Sequence, residues 1–140
     1  MSTRCTVSLY DGSGQYHSIY GHWDGYLSGV GRILLDYYNT LESVTELIKM
    51  GSFSSIRPTL NDCVFYTRDR CEDYELNKPS VYSTIFDIPL QEYNYLYTGT
   101  HWFYYDENRY IRTLTNKRIE EDIKKRSQYV KQTRWWPWSF

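Results

Sequence analysis

Alternating apolar and polar residues at the start of the chain predict a β-hairpin. Residues 6–10 alternate as a strand does, residues 11–14 are rich in turn formers, and residues 15–20 have the composition of a returning strand. The next stretch, residues 20–31, holds a histidine, an aspartate, several aromatic residues and four glycines. We interpret it as a strand end, a turn with positive φ at Gly25, and the start of a helix.

Two helices are predicted after this turn. Apolar residues recur at helical spacing over residues 29–38, and Ser28 is the expected N-cap. A second helix is expected over residues 41–50, because Thr40 can cap its start and Gly51 can end it. Both helices have one apolar face, so we expect them to pack on a sheet.

Strands are predicted to dominate the second half of the chain. Residues 62–69 and residues 81–88 are each rich in strand-forming residues. Residues 92–98 and 101–105 flank a glycine turn and predict a second hairpin, to which residues 109–114 add a third strand. The last three strands together predict a β-meander with one tyrosine-lined face.

The end of the chain predicts a surface helix and an aromatic tail. Residues 117–131 carry only a thin apolar stripe, which is typical of a helix on a surface. Trp135 and Trp136 begin a tail whose large aromatic side chains would be costly in water, so it should pack on the same domain or on a partner. We therefore divide the chain into a core domain, residues 1–115, and a packed C-terminal segment, residues 116–140.

These elements predict a single α+β domain. Its sheet is expected to be mostly antiparallel, formed by the N-terminal hairpin and the C-terminal meander and covered by two or three helices. The length of 140 residues is that of one domain. Without an apolar run near membrane-spanning length, and with Cys5, Cys63 and Cys71 outside any CxxC pair, we expect a reduced, cytosolic protein with no membrane contact.

Composition points to binding rather than to a particular reaction. Sixteen tyrosines are unusual in a chain of this length, and they either fill a β-rich core or form a half-exposed binding surface. The net charge of −1 does not by itself predict nucleic-acid binding. The chain contains no dinucleotide-binding, phosphate-loop or zinc-protease motif, and no cofactor is expected.

The first candidate for chemistry is the cluster of His22, Trp23, Asp24 and Tyr26. A histidine and an aspartate two residues apart on a strand share a face, with Trp23 on the other, and would suit a metal site or an acid–base pair. The sequence defines no third ligand and no nucleophile. The alternative is a structural turn in which Asp24 caps the amide of Tyr26 or Leu27. We assign no catalytic residue and no metal ligand, and treat the four residues as binding candidates.

The second candidate is the pair Arg68 and Arg70. Two arginines at the end of a predicted strand form a fork suited to phosphate or carboxylate. Acidic residues are interleaved with them, so the alternative is a strand end held by salt bridges. If either arginine lacks an acidic partner, we expect an anionic ligand such as a nucleotide beside it.

Further binding candidates lie on the meander and in the tail. Tyr95, Tyr97 and Trp102 belong to the predicted tyrosine-rich strands. Trp135 and Trp136 follow a basic helix, and this combination would suit single-stranded nucleic acid. The alternative is that these tryptophans fasten the helix to the domain or contact another protomer.

Several short blocks resemble a group of small phage- and prophage-encoded proteins without an established activity. The blocks are residues 1–4, 20–31, 47–56, 68–73 and 92–97, so the resemblance spans about the first three quarters of the chain. A glycine commonly follows the second arginine of the fourth block in that group, whereas this chain has a cysteine. The resemblance implies a viral origin and an accessory role in the infected bacterium, and no functional residue is carried over from it.

These observations lead to three functional hypotheses. The first is a non-enzymatic, anti-CRISPR-like inhibitor that binds a protein of a bacterial defence system in the cytoplasm of the infected host, as a monomer or a homo-oligomer. The second is a sequestering protein that traps a nucleotide second messenger between tyrosines and Arg68 and Arg70. The third is a metal-dependent hydrolase that uses His22 and Asp24.

Overall fold

The computed structural model describes residues 2–105 and 108–134, with the backbone alone over residues 129–134. The strands in this part of the chain are β1 Cys5–Tyr10, β2 Tyr16–Gly21, β3 Phe53–Ser55, β4 Val64–Phe65, β5 Ser80–Tyr82, β6 Tyr93–Tyr97, β7 Trp102–Tyr105 and β8 Ile111–Thr113. The α-helices are α1 Arg32–Tyr37, α2 Leu41–Lys49, α3 Tyr66–Arg70, α4 Tyr74–Asn77 and α5 Asn116–Arg134. A π-helical turn, Leu27–Gly31, precedes α1, and a 3₁₀ turn, Ile85–Asp87, follows β5.

All eight strands belong to one mixed sheet. Its order is β4-β3-β2-β1-β6-β7-β8, and β5 pairs with β2 beside β3. The central strand β1 runs antiparallel to β2 and parallel to β6, and β2 pairs in parallel with β3. The predicted α+β single domain is therefore confirmed, but the sheet is larger than expected and mixed rather than mostly antiparallel.

One face of the sheet carries the hydrophobic core. Val7, at the centre of β1, lies beside Ile19 and Tyr95 on the neighbouring strands, and all three side chains are almost fully buried. Helices α1, α2 and α5 supply buried apolar residues to the same core cluster: Leu34, Val44, Leu47, Ile48 and Ile119. Burial of these side chains is the main stabilising contribution to the domain.

The opposite face of the central strands is polar and covered. Thr6 donates a hydrogen bond to the Asn94 side chain at 2.8 Å, and the hydroxyls of Ser8 and Ser18 lie 2.9 Å apart, all of them buried. The Asn94 amide also closes a ring with the backbone of Gln91. The segment between β5 and β6 therefore crosses this face before it enters β6.

Local sequence signals predicted several elements correctly. Both hairpins form at the expected turns, and the third strand of the meander follows as β8. Helix α2 begins at a capping box in which Thr40 accepts from the Ser43 amide at 3.1 Å. Gly51 ends that helix with φ +83°.

Two predicted strands are wrong over most of their length. Residues 62–69 form only the two-residue strand β4, because α3 begins directly after Phe65. The Asp69 carboxylate accepts from the Phe65 amide at 2.8 Å, so a side chain four residues ahead starts a helical turn. Residues 81–88 form only the end of β5 and the 3₁₀ turn.

The Tyr95 side chain ties the centre of the sheet to the turn that follows β2. Its ring is 1% exposed, and its hydroxyl donates to the Gly25 carbonyl at 2.6 Å. A Cβ atom on Gly31 would lie 3.2 Å from the same hydroxyl, so a glycine leaves room for this approach. The turn is thus held by a buried hydrogen bond between elements 70 residues apart.

We expect Tyr95→Phe to lower the free energy of unfolding by about 1–3 kcal/mol, because it leaves the buried Gly25 carbonyl without its donor. Urea denaturation measures the change. Tyr104→Phe is the matched control, since Tyr104 lies opposite Tyr95 on β7 and its hydroxyl has no hydrogen bond within the described ranges. The control should stay within about 0.5 kcal/mol of wild type, and equal losses in both variants would contradict the prediction.

Candidate functional site

The chain extends the sheet past β2 before it turns. The amide of His22 donates to the Phe53 carbonyl at 3.2 Å, and the amide of Trp23 donates to the Ser54 carbonyl at 3.1 Å. These bonds continue the parallel pairing of β2 with β3. His22 and Trp23 therefore lie at the end of β2, in a position that depends on residues 31 places further along the chain.

Asp24, and not the predicted Gly25, has positive φ in the turn. Its φ is +58°, which aspartate tolerates better than most residues. The Asp24 carbonyl then accepts from the Val30 amide at 2.8 Å and closes the loop. Gly25 is needed for space instead, since a Cβ atom there would lie 2.8 Å from the Thr3 carbonyl oxygen.

His22 and Asp24 do not form the paired site that a continuing strand would give. The His22 Nδ1 lies 2.7 Å from the Tyr20 hydroxyl, and Asp24 accepts from the Tyr26 hydroxyl at 3.2 Å. The turn at Asp24 ends the alternation that would have placed both on one face. Within the described residues the Asp24 carboxylate accepts only from the Tyr26 hydroxyl, so it does not cap the amide of Tyr26 or Leu27, and the π-helical turn has no side-chain cap.

Ser28 connects the π-helical turn to α5 instead of capping α1. Its amide and its hydroxyl both donate to Asp122, at 3.0 and 2.7 Å, and Asp122 also accepts from Arg126 at 3.1 Å. The Arg126 guanidinium lies 3.6 Å from the centre of the Tyr26 ring. Tyr26 is thus partly covered by α5, which reduces the surface it offers to a partner.

The predicted arginine fork is absent because Arg68 and Arg70 lie on helix α3. Residues two apart on a helix point to nearly opposite sides. Arg68 is satisfied internally: it pairs with Asp69 at 2.9 Å and donates to the Cys63 carbonyl at 2.8 Å. For Arg68, the alternative of a segment held by salt bridges is therefore the correct one. The hydrogen bond to Asp69 raises the pKa of the Arg68 guanidinium above its ordinary value.

Arg70 has a different environment. It donates to the Ser54 hydroxyl at 3.2 Å and its guanidinium lies 5.4 Å from the Tyr66 ring centre. Over residues 2–105 and 108–134 it makes no ion pair with a carboxylate. The Ser54 carbonyl also accepts a hydrogen bond from the Trp23 amide, so Arg70 and Trp23 contact the same residue.

We name this group the Arg70 surface; it consists of Tyr20, His22, Trp23, Ser54, Tyr66 and Arg70. Trp23 is 43% exposed, and its ring meets the His22 ring edge-on at 4.8 Å. Burial raises the pKa of the Tyr20 phenol, and the Tyr66 phenol adds to that effect, so these two rings are within electrostatic range. The surface thus combines one exposed aromatic ring, Trp23, and half-buried rings with an arginine that lacks a carboxylate partner within the described ranges.

Sequence reasoning found three members of this surface and missed the others. Ser54, Tyr20 and Tyr66 carry no motif, and they join the site only through the parallel pairing of β2 with β3 and the short connection to α3. A strand-like alternation from Tyr20 to His22 was the one local signal that these two residues share a face.

The aromatic candidates on the meander belong to the core. Tyr95, Tyr97 and Trp102 are each at most 2% exposed, and each donates a hydrogen bond to a backbone carbonyl. They position the turn and the end of α1 and present no surface to a partner. Trp135 and Trp136 lie outside the described residues.

No protein-family model matches the chain, and neither a curated protein nor a solved structure matches it. Over the described ranges, no three histidine, cysteine or acidic side chains come together in a way that could hold a metal ion. None of the helices in those ranges combines the length and the apolar character that crossing a bilayer requires. Function must therefore be inferred from the chemistry of the described residues themselves.

We expect Arg68→Ala to lower the free energy of unfolding by about 1–2 kcal/mol, because it removes the hydrogen bonds of the guanidinium to Asp69 and to the Cys63 carbonyl. The side chains of Arg68 and Asp69 are each about one-third exposed, which keeps the expected loss small. Arg70→Ala should stay within about 0.5 kcal/mol of wild type, since Arg70 has only one hydroxyl partner. Urea denaturation of both variants measures the difference. An equal loss in Arg70→Ala would show that this arginine is part of the scaffold.

Proposed function

We propose that this protein is a phage-encoded accessory protein that inhibits a bacterial defence system by binding one of its proteins. It acts without enzymatic chemistry or a cofactor, in the cytoplasm of the infected host, in the manner of an anti-CRISPR protein. The observation that supports this proposal best is the Arg70 surface, where the backbone of an exposed tryptophan and an arginine without a carboxylate partner in the described ranges both bind Ser54.

Tryptophan, tyrosine and arginine are the residues that dominate binding energy at protein interfaces. Trp23 offers a rigid ring at low entropic cost, and Arg70 is already oriented by Ser54 and by the Tyr66 ring. A carboxylate of the partner would complete the coordination of Arg70. With a net charge of −1, the protein would bind through such contacts and not by imitating the charge of DNA.

We expect the protein to restore phage plating on bacteria that carry the defence system it inhibits. The measurement is the efficiency of plating on a panel of strains that are identical except for a single defence system each. On the sensitive strain, plating should rise by at least about tenfold, and Trp23→Ala and Arg70→Ala should each remove at least about half of that gain on a logarithmic scale, because both are expected to be central contacts.

Tyr37→Ala is the matched control, since Tyr37 is 53% exposed but lies at the end of α1, outside the Arg70 surface. It should retain full inhibition. The proposal is rejected if no strain of the panel responds, and the assignment of the surface is rejected if Tyr37→Ala fails as badly as Trp23→Ala while all variants accumulate equally.

A second candidate function is supported by the same arginine. The Arg70 guanidinium lies beside the Tyr66 ring, and Arg70 and Trp23 both contact Ser54. An arginine can pair with a phosphate, and an aromatic ring can stack on a base. A nucleotide second messenger is therefore the alternative ligand. The metal-dependent hydrolase gains no support, since His22 and Asp24 bind different tyrosines.

If a nucleotide is the ligand, we expect one member of a panel of cyclic mono- and dinucleotides to raise the melting temperature by several degrees at saturating concentration. The shift should disappear in Arg70→Ala and persist in Arg68→Ala, whose side chain is satisfied internally. Thermal shift by fluorescence measures both. A flat response across the panel removes this candidate and leaves protein binding.

A further inference from the structure

A cavity of about 310 Å³ lies on the face of the sheet opposite the core. The segment from the 3₁₀ turn to Leu90 forms one wall, and the ends of β7 and β8 form the other. Its apolar lining consists of Ile85, Phe86, Ile88, Pro89, Leu90 and Ile111. The volume is at the small end of the range for ligand sites in proteins.

Tyr105 supplies an unpartnered polar group in this wall. The residue is 7% exposed, and its hydroxyl is buried without a hydrogen-bond partner among the described residues. Tyr38, Tyr95 and Tyr97 are buried as well but differ, because the hydroxyl of each donates to a backbone carbonyl. A buried hydroxyl without a partner is costly, so an acceptor brought by a ligand would remove that cost.

Arg109 adds a positive charge to the same cavity. Its backbone has φ +64°, in the left-handed region, so the loop holds an arginine in a conformation that few side chains favour. Burial raises the pKa of the Tyr105 phenol to about 12, and the charge of Arg109 acts against that rise, which places the two groups within electrostatic range. Neither hydrogen bond nor ion pair holds Arg109 within the described ranges.

We propose that this cavity binds a small carboxylic acid with an apolar body. The carboxylate would pair with Arg109 and, after a small shift of the wall that uncovers the buried hydroxyl, accept from Tyr105. The apolar part would lie between Ile88 and Ile111. Asp87, at the exposed rim of the cavity, would repel a ligand that carries a second negative charge, so we expect the ligand to be a monocarboxylic acid.

Exposure of the apolar rim supports the same assignment. Phe86 is 91% exposed, and Ile111 is 58% exposed, although both line the cavity. A ligand seated there would cover part of these side chains and recover hydrophobic free energy. The inference does not depend on the proposed anti-defence function, because no member of the Arg70 surface lines the cavity.

The test is a titration of the full-length protein, labelled at the isoleucine methyl groups, with octanoate and phenylacetate and with their neutral counterparts octanol and phenylethanol. We expect the methyl signals of Ile85, Ile88 and Ile111 to shift with an acid, while those of Ile19 and Ile48 in the opposite core do not. The acids should bind at least about tenfold more tightly than the alcohols.

Three variants separate this site from a nonspecific apolar patch. Tyr105→Phe should weaken acid binding about tenfold, while its urea midpoint stays equal to wild type or rises, because the lost hydroxyl has no partner. Arg109→Asn should abolish the preference for acid over alcohol, and asparagine tolerates the left-handed backbone. Asp87→Asn should strengthen acid binding about two- to threefold, and Tyr104→Phe is the control without effect.

The proposal is overturned if neither acid shifts the three methyl signals up to its solubility limit. It is also overturned if acid and alcohol bind equally well to wild type, since the carboxylate would then have no role. Plating assays report on the Arg70 surface alone, so failure of either proposal can be recognised independently of the other.

Discussion

The candidate site depends on the hydrogen bond between the buried Tyr95 hydroxyl and the Gly25 carbonyl. Gly25 is fixed from both sides, since its amide donates to the Thr3 carbonyl next to β1. With this residue anchored to the centre of the sheet, the preceding residues His22 and Trp23 must run along β3. The buried hydrogen bond between Tyr95 and Gly25 thereby fixes the position of the exposed Trp23.

From that anchor the parallel pairing of β2 with β3 builds the Arg70 surface. The backbone of Trp23 and the side chain of Arg70 both reach Ser54, one from the strand end and one from α3. Helix α3 follows β4 without a connecting residue, so the position of Arg70 is set by the sheet edge. The arginine is consequently preorganised although it lacks a carboxylate partner in the described ranges, which is the arrangement that favours binding of a partner over internal stabilisation.

The sequence revealed those features that depend on local physics. Two-residue periodicity and glycine turns predicted both hairpins, and an N-cap residue at Thr40 with a glycine stop at Gly51 predicted α2. The parallel contact of β1 with β6 joins residues 88 apart, and no local pattern specifies it. Alternation also shows which residues share a face but not which face is covered, and for this reason it does not decide whether the binding candidates Tyr95 and Tyr97 fill the core or form a surface. The predicted fork of Arg68 and Arg70 is wrong because the chain forms helix α3 where a strand was expected. The hydrogen bond from the Phe65 amide to the Asp69 carboxylate stabilises the start of that helix.

The two proposed sites lie near opposite edges of one sheet. The Arg70 surface adjoins β3, and the cavity adjoins β7 and β8. Five strand spacings separate β3 from β8 in the sheet order, a distance of roughly 24 Å. A partner on one edge therefore need not cover the other, and direct electrostatic influence of a bound acid on Arg70 would be strongly screened over that distance. Any coupling between the sites would have to pass through β2, β1 and β6. Buried polar pairs hold these strands in register: Ser8 with Ser18 joins β1 to β2, and Thr6 with Asn94 joins β1 to β6. Such a rigid centre favours two sites that act independently.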